Sequence, residues 1–313
     1  MGMRKVVSFG KSSFVVSLPK TWVTRNNVKK GDELAVDEKT SELVVSVNSP
    51  KKRGEPNEML IDGRKGTDIL KTVIISAYIN NCGVIRIRDL EKDSLPAVKD
   101  ILHDLAGMEI IEEDSNSIVA KDLLDISEVS IASIIRRMDL LTRSMIDDSL
   151  QQERDLYDSV YERDKEVNRL SWLGFRVSRA VIDNPALLKM FSTTNWNIVL
   201  SRQVITQLER VADQTKRIAR MLRQIHDKKR KKAFQKNYSL VNQHYLAVMK
   251  AYYSKNREEG IFKVEDRSKE LLRISDRLCG KYKDVVIMRL SEFLKYIIAS
   301  TNSILRSIME REY

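Results

Sequence analysis

The chain has few of the residues that bend or cross-link a protein. Among its 313 residues there are only 2 Cys, 5 Pro and 11 Gly, and aromatic residues make up 6%. The two cysteines, Cys82 and Cys279, lie far apart without metal-ligand spacing, so we expect free thiols in a reducing cytoplasm. Scarce Gly and Pro in a chain that is 32% charged is typical of long helices.

Signals for membranes, secretion and catalysis are also missing. The chain has no apolar run long enough to span a bilayer, and its N-terminus lacks the apolar core of a signal peptide. Its histidines are scattered, and it has no Gly-rich phosphate loop and no nucleophile beside a base. We therefore expect a cytoplasmic protein that is not an enzyme. The rival, a metal-dependent hydrolase, lacks a legible general base.

Positive charge is what the chain has in excess. The formal net charge is +11, and a hydrophobic content of 42% is enough to build real cores. A basic excess favours nucleic acid or an anionic membrane surface as a partner, without choosing between them.

The first 48 residues carry a pattern of short strands and turns. Runs rich in β-branched residues at Arg4–Phe9 and Ser13–Leu18 flank Gly10, which predicts a hairpin. Pro19 cannot donate a hydrogen bond to a sheet and ends the second strand. The pattern then predicts a short helix and two further strands, at Thr21–Asn27, Glu33–Asp37 and Glu42–Val47.

A segment of this size is too small to bury a core by itself. It contains no cysteine, so we expect two copies to interleave their strands into one small barrel. Five basic residues would then lie near a two-fold axis, an arrangement that suits the regularly spaced phosphates of a DNA duplex. They are Arg4, Lys5, Lys11, Lys20 and Arg25.

The order of these residues resembles a known family. Met-Arg-Lys-Val-Val-Ser-Phe-Gly-Lys-Ser-Ser-Phe-Val-Val-Ser-Leu-Pro-Lys-Thr-Trp, followed by Lys-Gly-Asp-Glu-Leu, is similar to the AbrB/SpoVT swapped-hairpin DNA-binding domain, in the version fused to archaeal PhoU-like phosphate regulators. The resemblance implies a homodimer that binds double-stranded DNA. The implied DNA-binding residues are Arg4, Lys5 and Lys11, together with Ser12, Ser13, Lys20 and Arg25. Alternatively the module only dimerises, since related antitoxin domains hold partner proteins.

Two further segments precede the helical region. Residues 49–57 are basic and carry no aliphatic or aromatic side chain, which predicts a linker, either a solvated tether or a further contact to DNA phosphates. Residues 58–125 have the pattern strand–helix–strand–helix–strand–strand, which predicts a small α/β sandwich of split-βαβ type. This domain either pairs or binds a ligand, as related folds do, or serves as a spacer.

From Ile126 onward the spacing of apolar residues is helical, and no strand is predicted. Three long helices in residues 126–227 are followed by a basic joint, Lys228–Lys232, and by three more helices in residues 228–313. The repetition predicts an internal duplication and a pair of three-helix bundles. The joint is interpreted as a solvated charge run or as a nucleic-acid patch.

Glu209 and Asp213 lie four residues apart, so both carboxylates project from one face of a predicted helix. Such a pair can bind a metal ion within a bundle. The alternative is a surface pair whose charge is answered by Arg210 or Arg217.

The run Gln207–Ile218 and the duplicated three-helix layout resemble the PhoU family of phosphate-uptake regulators. The resemblance implies iron or zinc on the bundle surface, held in the first repeat by the set Asp164, Asn168, Glu209 and Asp213. Asn168 stands where the family has an acid. In the second repeat Asp266 and Glu270 keep both acidic positions, but Ser291 and Lys295 replace the facing pair, and the lysine argues against a metal there. The alternative is plain helix-surface charges with no metal.

The sequence therefore predicts a multidomain protein with an AbrB/SpoVT-like swapped-hairpin β-barrel, a small α/β domain and an all-α PhoU-like pair of bundles. The expected function is DNA-binding transcriptional regulation of phosphate uptake, with a phosphate transporter or signalling components as further partners. The alternative is a PhoU-like adaptor that does not bind DNA, docks on a phosphate transporter or signalling kinase, and uses its N-terminal domain only to dimerise.

Overall fold

The computed structural model of the protein describes residues 3–11, 13–38, 42–47, 57–151, 156–254 and 258–311. Within these ranges the side chains of residues 35, 37, 46 and 258–266 are not described. Ser12 and most of the predicted linker 49–57 lie outside the described residues. The chain divides into two units, Met1–Glu55 and Pro56–Tyr313.

The N-terminal unit consists of two β-hairpins with a helix between them. β1 (Val6–Phe9) pairs antiparallel with β2 (Ser13–Val16), and Gly10 lies in the turn with a φ of +71°. The helix α1 spans Lys20–Arg25, and β3 (Leu34–Glu38) pairs antiparallel with β4 (Leu43–Val47). Turn chemistry predicts these elements, because glycine adopts a positive φ without strain and proline ends a strand.

The described residues of this unit form no buried core in a single chain. Every residue of β1 and β2 is exposed, and α1 buries none. Phe9 and Phe14 are 72% and 76% exposed. Among the described residues of the unit, no side chain is fully buried. A single copy therefore gains little of the hydrophobic energy that normally stabilises a fold.

The second unit begins with a four-stranded sheet whose order is β5-β6-β8-β7. The strands are β5 (Glu58–Asp62), β6 (Val84–Arg88), β7 (Met108–Glu113) and β8 (Ile118–Asp122). Two helices, α2 (Thr67–Ile79) and α3 (Leu95–His103), pack on one face of the sheet. Their buried residues, such as Ile74 and Leu102, meet alternate residues of β6, Ile85 and Ile87.

The predicted order of elements in residues 58–125 is confirmed, but the βαβ unit is not split. A split unit has a strand between its two parallel strands, whereas β5 pairs directly with β6, with Glu58 beside Val84. Periodicity determines which face of a strand is buried, but it does not specify the neighbouring strand.

In the described residues from Ile126 onward, all regular secondary structure is helical, as predicted. A first set of long helices comprises α4 (Ile131–Leu150), α5 (Tyr157–Asp183) and α7 (Asn195–Leu222), with the short α6 (Pro185–Met190) before α7. A second set comprises α8 (Lys228–Tyr253), α9 (Glu258–Tyr282) and α10 (Val285–Met309). Both sets contribute to one continuous cluster of buried apolar side chains. In the described part of the chain, no helix combines the length and hydrophobicity needed to cross a bilayer.

Two helix starts differ from the sequence prediction. The short helix α6 was not predicted from the sequence. Asn184 caps it, because its Oδ1 accepts a hydrogen bond from the Ala186 N–H at 3.0 Å. The basic run Lys228–Lys232 is the first turn of α8 rather than a joint. Lysines oppose the helix dipole at this end, but the Asp227 carboxylate caps the helix, accepting from the N–H groups of Lys229 and Arg230 at 2.8 and 3.1 Å.

A buried arginine joins the first helix set to the four-stranded sheet and its two helices. We call β5–β8 with α2 and α3 the sheet region. Arg176 of α5 is 1% exposed and forms an ion pair with Asp122 at the end of β8. Its Nε donates to Asn81 Oδ1 at 3.2 Å, and its guanidinium carbon lies 4.6 Å from the centre of the Tyr78 ring. Trp172, one turn earlier on α5, packs against the core of the sheet region. The sheet region and α5 therefore share one interface.

Candidate functional site

The predicted DNA-binding residues that the structure describes lie on the surface of the N-terminal unit. Arg4 and Lys5 precede β1, Lys11 is in the first hairpin turn, and Ser13 begins β2. Lys20 and Arg25 are the first and last residues of α1. Ser12 lies outside the described residues.

The structure does not gather these basic residues into one cluster within a single chain. Arg4 and Lys5 lie at the open end of the first hairpin and Lys11 at its turn, so a four-residue strand of about 13 Å separates them. None of the five basic side chains forms an ion pair with another described residue. Their charge is therefore available to an external anion.

A second candidate site lies between α5 and α7, where the predicted metal ligands meet. Asp164 of α5 is buried, and Asn168, one turn later, donates to its Oδ2 at 3.4 Å. Lys216 of α7 donates from Nζ to the same Asp164 oxygen at 2.6 Å and lies 3.3 Å from Asp213 Oδ1. Arg217 Nε donates to Asp213 Oδ2 at 2.8 Å. The structure therefore brings the acids of the two helices together, with a lysine between them.

Burial and neighbouring charges shift the pKa values of three residues of this site, Asp164, Glu209 and Lys216. Burial raises the pKa of Asp164, and the hydrogen bond from Lys216 partly offsets that shift. Burial also raises the pKa of Glu209, and the nearby charges of Asp213 and Asp164 add to the effect. Burial alone would lower the pKa of Lys216, but its contacts with both aspartates outweigh burial and raise it. Asp164 and Asp213 each bond a cation, Lys216 or Arg217. Glu209 is repelled by both aspartates and bonds no cation among the described residues.

The residues present do not fit a metal ion in this arrangement. Metals of the iron and zinc type need carboxylate oxygens that converge on a free position. Here the Lys216 ammonium bridges the two aspartates, and no group of three or more acids, histidines or cysteines among the described side chains has the arrangement of a metal site. The metal remains a prediction from the resemblance.

The equivalent face of the second helix set has a similar lysine. Lys295 of α10 pairs with Asp276 of α9 at 2.7 Å and with Glu292 at 2.8 Å. Glu270 is exposed, and the side chain of Asp266 lies outside the described residues. The sequence argument that Lys295 opposes a metal here agrees with these two ion pairs.

Sequence reasoning identified Arg217 as a counter-charge but missed Lys216. A signal was present, because Lys216 lies three residues after Asp213 and therefore on the same helical face. An open groove of about 280 Å³ lies beside this face, lined by Tyr157, Asp213, Lys216, Arg217 and Arg220.

Comparison with known families gives two matches. Residues 7–56 match the model of antidote-toxin recognition MazE, a bacterial antitoxin, and residues 135–222 match the PhoU domain. The PhoU match ends with α7, before the second helix set. No curated protein and no solved structure matches the chain. Both resemblances are thus confirmed, for a MazE/AbrB-like N-terminal segment and for a PhoU domain, and both are regulatory or binding families.

Proposed function

We propose that this chain, which joins a MazE/AbrB-like segment to a PhoU domain, is a homodimeric DNA-binding regulator of phosphate uptake or homeostasis. The PhoU domain supports the phosphate part of the proposal. The observation that carries the DNA-binding part is a first hairpin with exposed apolar faces and with basic residues that form no ion pair with another described residue.

The uncovered apolar faces support a dimer. Among the described residues of the four strands β1–β4, eight large apolar side chains are exposed in one chain: Val6, Val7, Phe9, Phe14, Val15, Val16, Val36 and Leu43. Full burial of each such side chain is worth roughly 1.5–3 kcal/mol. A second copy that interleaves its hairpins with the first covers these faces, and the pair then has the core that one copy lacks.

Dimerisation also gives the basic residues their DNA-binding geometry. In one chain Arg4 and Lys11 lie at opposite ends of a hairpin, whereas two chains present each residue twice about a two-fold axis. A symmetric set of positive charges matches two half-sites of a duplex. Phosphate contacts of this kind make affinity fall steeply with salt, because binding releases condensed counterions.

The proposed mechanism of regulation is mechanical. A signal that acts on the helical bundles alters the geometry of the dimer, and the paired N-terminal modules then fit the operator better or worse. Such coupling requires that the signal bind the two dimer geometries with different affinity.

A DNA-binding assay against the chain's own upstream region tests the proposal. We expect the double variant Arg4→Ala/Lys11→Ala to bind at least about tenfold more weakly than the wild type. The slope of log K against log salt should become shallower by about one unit for each phosphate that the variant no longer neutralises. Lys65→Ala/Lys71→Ala, which removes two exposed lysines from the second unit, is the matched control and should bind normally.

A variant of the apolar face tests dimerisation separately. Phe14→Glu changes a side chain that is exposed in one chain, so it should not disturb an isolated copy. We expect it to convert the dimer to monomer in sedimentation experiments and to abolish DNA binding. A dimer that binds no DNA at any salt concentration would instead support the adaptor, in which the N-terminal segment only dimerises or holds a partner protein.

A further inference from the structure

We infer that Lys216 is a built-in counter-ion that takes the place of a metal ion between α5 and α7, so that the first helix set closes without metal. This inference concerns the helical bundles and is independent of DNA binding. It departs from the metal-binding role that the acidic residues of this face suggest.

The position of the ammonium is the first argument. Lys216 Nζ lies 2.6 Å from Asp164 Oδ2 and 3.3 Å from Asp213 Oδ1, so one cation joins carboxylates from two helices. A bridging metal ion would need to lie roughly 2.0–2.6 Å from the same oxygens. The ammonium and the metal therefore exclude each other, both by volume and by charge repulsion.

The remaining hydrogen bonds of the face are the second argument. Asp213 uses its other oxygen for Arg217, at 2.8 Å. Asp164 Oδ2 accepts from Asn168 as well as from Lys216. Asn168 is neutral where a metal site would gain a third or fourth negative charge. Both aspartates of the donor set are thus already bonded to cations or to an amide.

The second helix set has a comparable lysine bridge at a different and more exposed position. Lys295 of α10 bridges Glu292 on its own helix and Asp276 on α9, at 2.8 and 2.7 Å. In both sets the third long helix carries a lysine three residues after an acid, and that lysine reaches an acid of the second long helix. The chain therefore uses a lysine to join acids of neighbouring helices a second time, although Lys295 does not contact Glu270 of the predicted acidic pair.

The inference predicts what happens when the ammonium is removed. Asp164 is buried, and burial disfavours an unpaired carboxylate. Without Lys216, Asp164 would face Asp213 and Glu209 with no cation on its own oxygens. Three carboxylates and the Asn168 amide would then offer oxygen ligands to a divalent cation.

Metal content and thermal stability of the untagged, full-length chain test this. We expect the wild type, after exposure to Zn²⁺ or Mn²⁺ and desalting, to retain well below one equivalent of metal by elemental analysis, and its Tm to be the same in chelator and in either metal. Lys216→Met keeps the aliphatic stem but removes the charge. We expect it to melt several degrees lower in chelator and to recover when the metal is added.

Two variants complete the test. Lys216→Arg retains the cation and should behave as the wild type does, which shows that charge rather than side-chain shape matters. Lys165→Met removes an exposed lysine of α5 that pairs with Glu162 and should change neither metal content nor Tm. Stoichiometric metal in the wild type that Asp164→Asn abolishes would overturn the inference. So would a Lys216→Met protein with the wild-type Tm in chelator.

Discussion

Replacing Arg176 by methionine removes the ion pair at the interface between the sheet region and α5. The guanidinium contacts three groups of the sheet region, namely the Asp122 carboxylate, the Asn81 side-chain oxygen and the Tyr78 ring. Methionine fills much of the volume of the arginine stem but makes none of these polar contacts. The variant therefore leaves the Asp122 carboxylate, only 15% exposed, without its cation.

The magnitude follows from that burial. Removing one partner of a buried ion pair costs about 3–5 kcal/mol, because the remaining charge is uncompensated. With a urea m-value of about 2–3 kcal/mol/M, the midpoint of unfolding falls by roughly 1–2.5 M. The fluorescence of Trp172, which packs against the sheet-region core, reports the transition at this interface.

Two comparisons make the measurement decisive. Arg179→Met, three residues later on α5, breaks an exposed ion pair with Asp183 and should cost less than about 1 kcal/mol. Arg176→Met combined with Asp122→Asn removes the orphaned charge and should recover a large part of the stability. If Arg176→Met unfolds at the same urea concentration as Arg179→Met, the reasoning about the buried pair is wrong.

Three further predictions concern single side chains. Glu209→Gln should raise the free energy of unfolding at pH 7 by roughly 0.5–1 kcal/mol, because it removes a half-buried charge next to two other carboxylates. Since the folded-state pKa of Glu209 is raised, the cost of its charge is present above that pKa and disappears as pH falls through it, and the gain should disappear with it. Tyr245→Phe should lower stability by about 1–3 kcal/mol, because the Tyr245 hydroxyl donates to the buried Asp139 Oδ1 at 2.7 Å. Gly107→Ala should lower stability by about 2 kcal/mol or more, because φ is +82° and a Cβ would lie 2.5 Å from the Leu124 Cβ. Urea unfolding measures all three, at several pH values for the first.

Each of these variants has a control in the same chain. Glu292→Gln removes a carboxylate that bonds Lys295 and should not stabilise the protein. Tyr296→Phe alters an exposed tyrosine and should be neutral. Gly66→Ala places a Cβ where nothing lies within 4 Å and should be tolerated. Equal effects in a variant and its control would contradict the mechanism given for that variant.

Local sequence signals predicted most of the elements. Gly10 and Pro19 determined the first hairpin, since their backbone preferences act within a few residues. Helical periodicity predicted the long helices in the same way. The neighbour of β5 was not predictable, because pairing is decided between segments that are distant in sequence. The start of α8 was missed because the Asp227 cap outweighs the unfavourable lysines that follow it.

The candidate sites were predicted less completely, for a related reason. The spacing of Glu209 and Asp213 placed two acids on one helical face, the family resemblance added Asp164, and the structure brings Asp164 close to both. Which long side chain reaches across a helix pair depends on the packing distance, which the sequence does not give. Lys216 and Arg176 were therefore missed, although each decides the electrostatics of its surroundings.

The bare strands at the start of the chain also bear on how the protein is made and kept. Exposed strand edges and exposed apolar side chains promote aggregation. Quality-control proteases also recognise them in a newly synthesised chain. In the proposed dimer, a chain that has not yet paired with a second copy is the species most exposed to aggregation and proteolysis. If the chain is the dimeric DNA-binding regulator proposed above, the amount of dimer falls faster than the rate of synthesis when expression is low. Operator occupancy would then respond to gene dosage more steeply than in simple proportion.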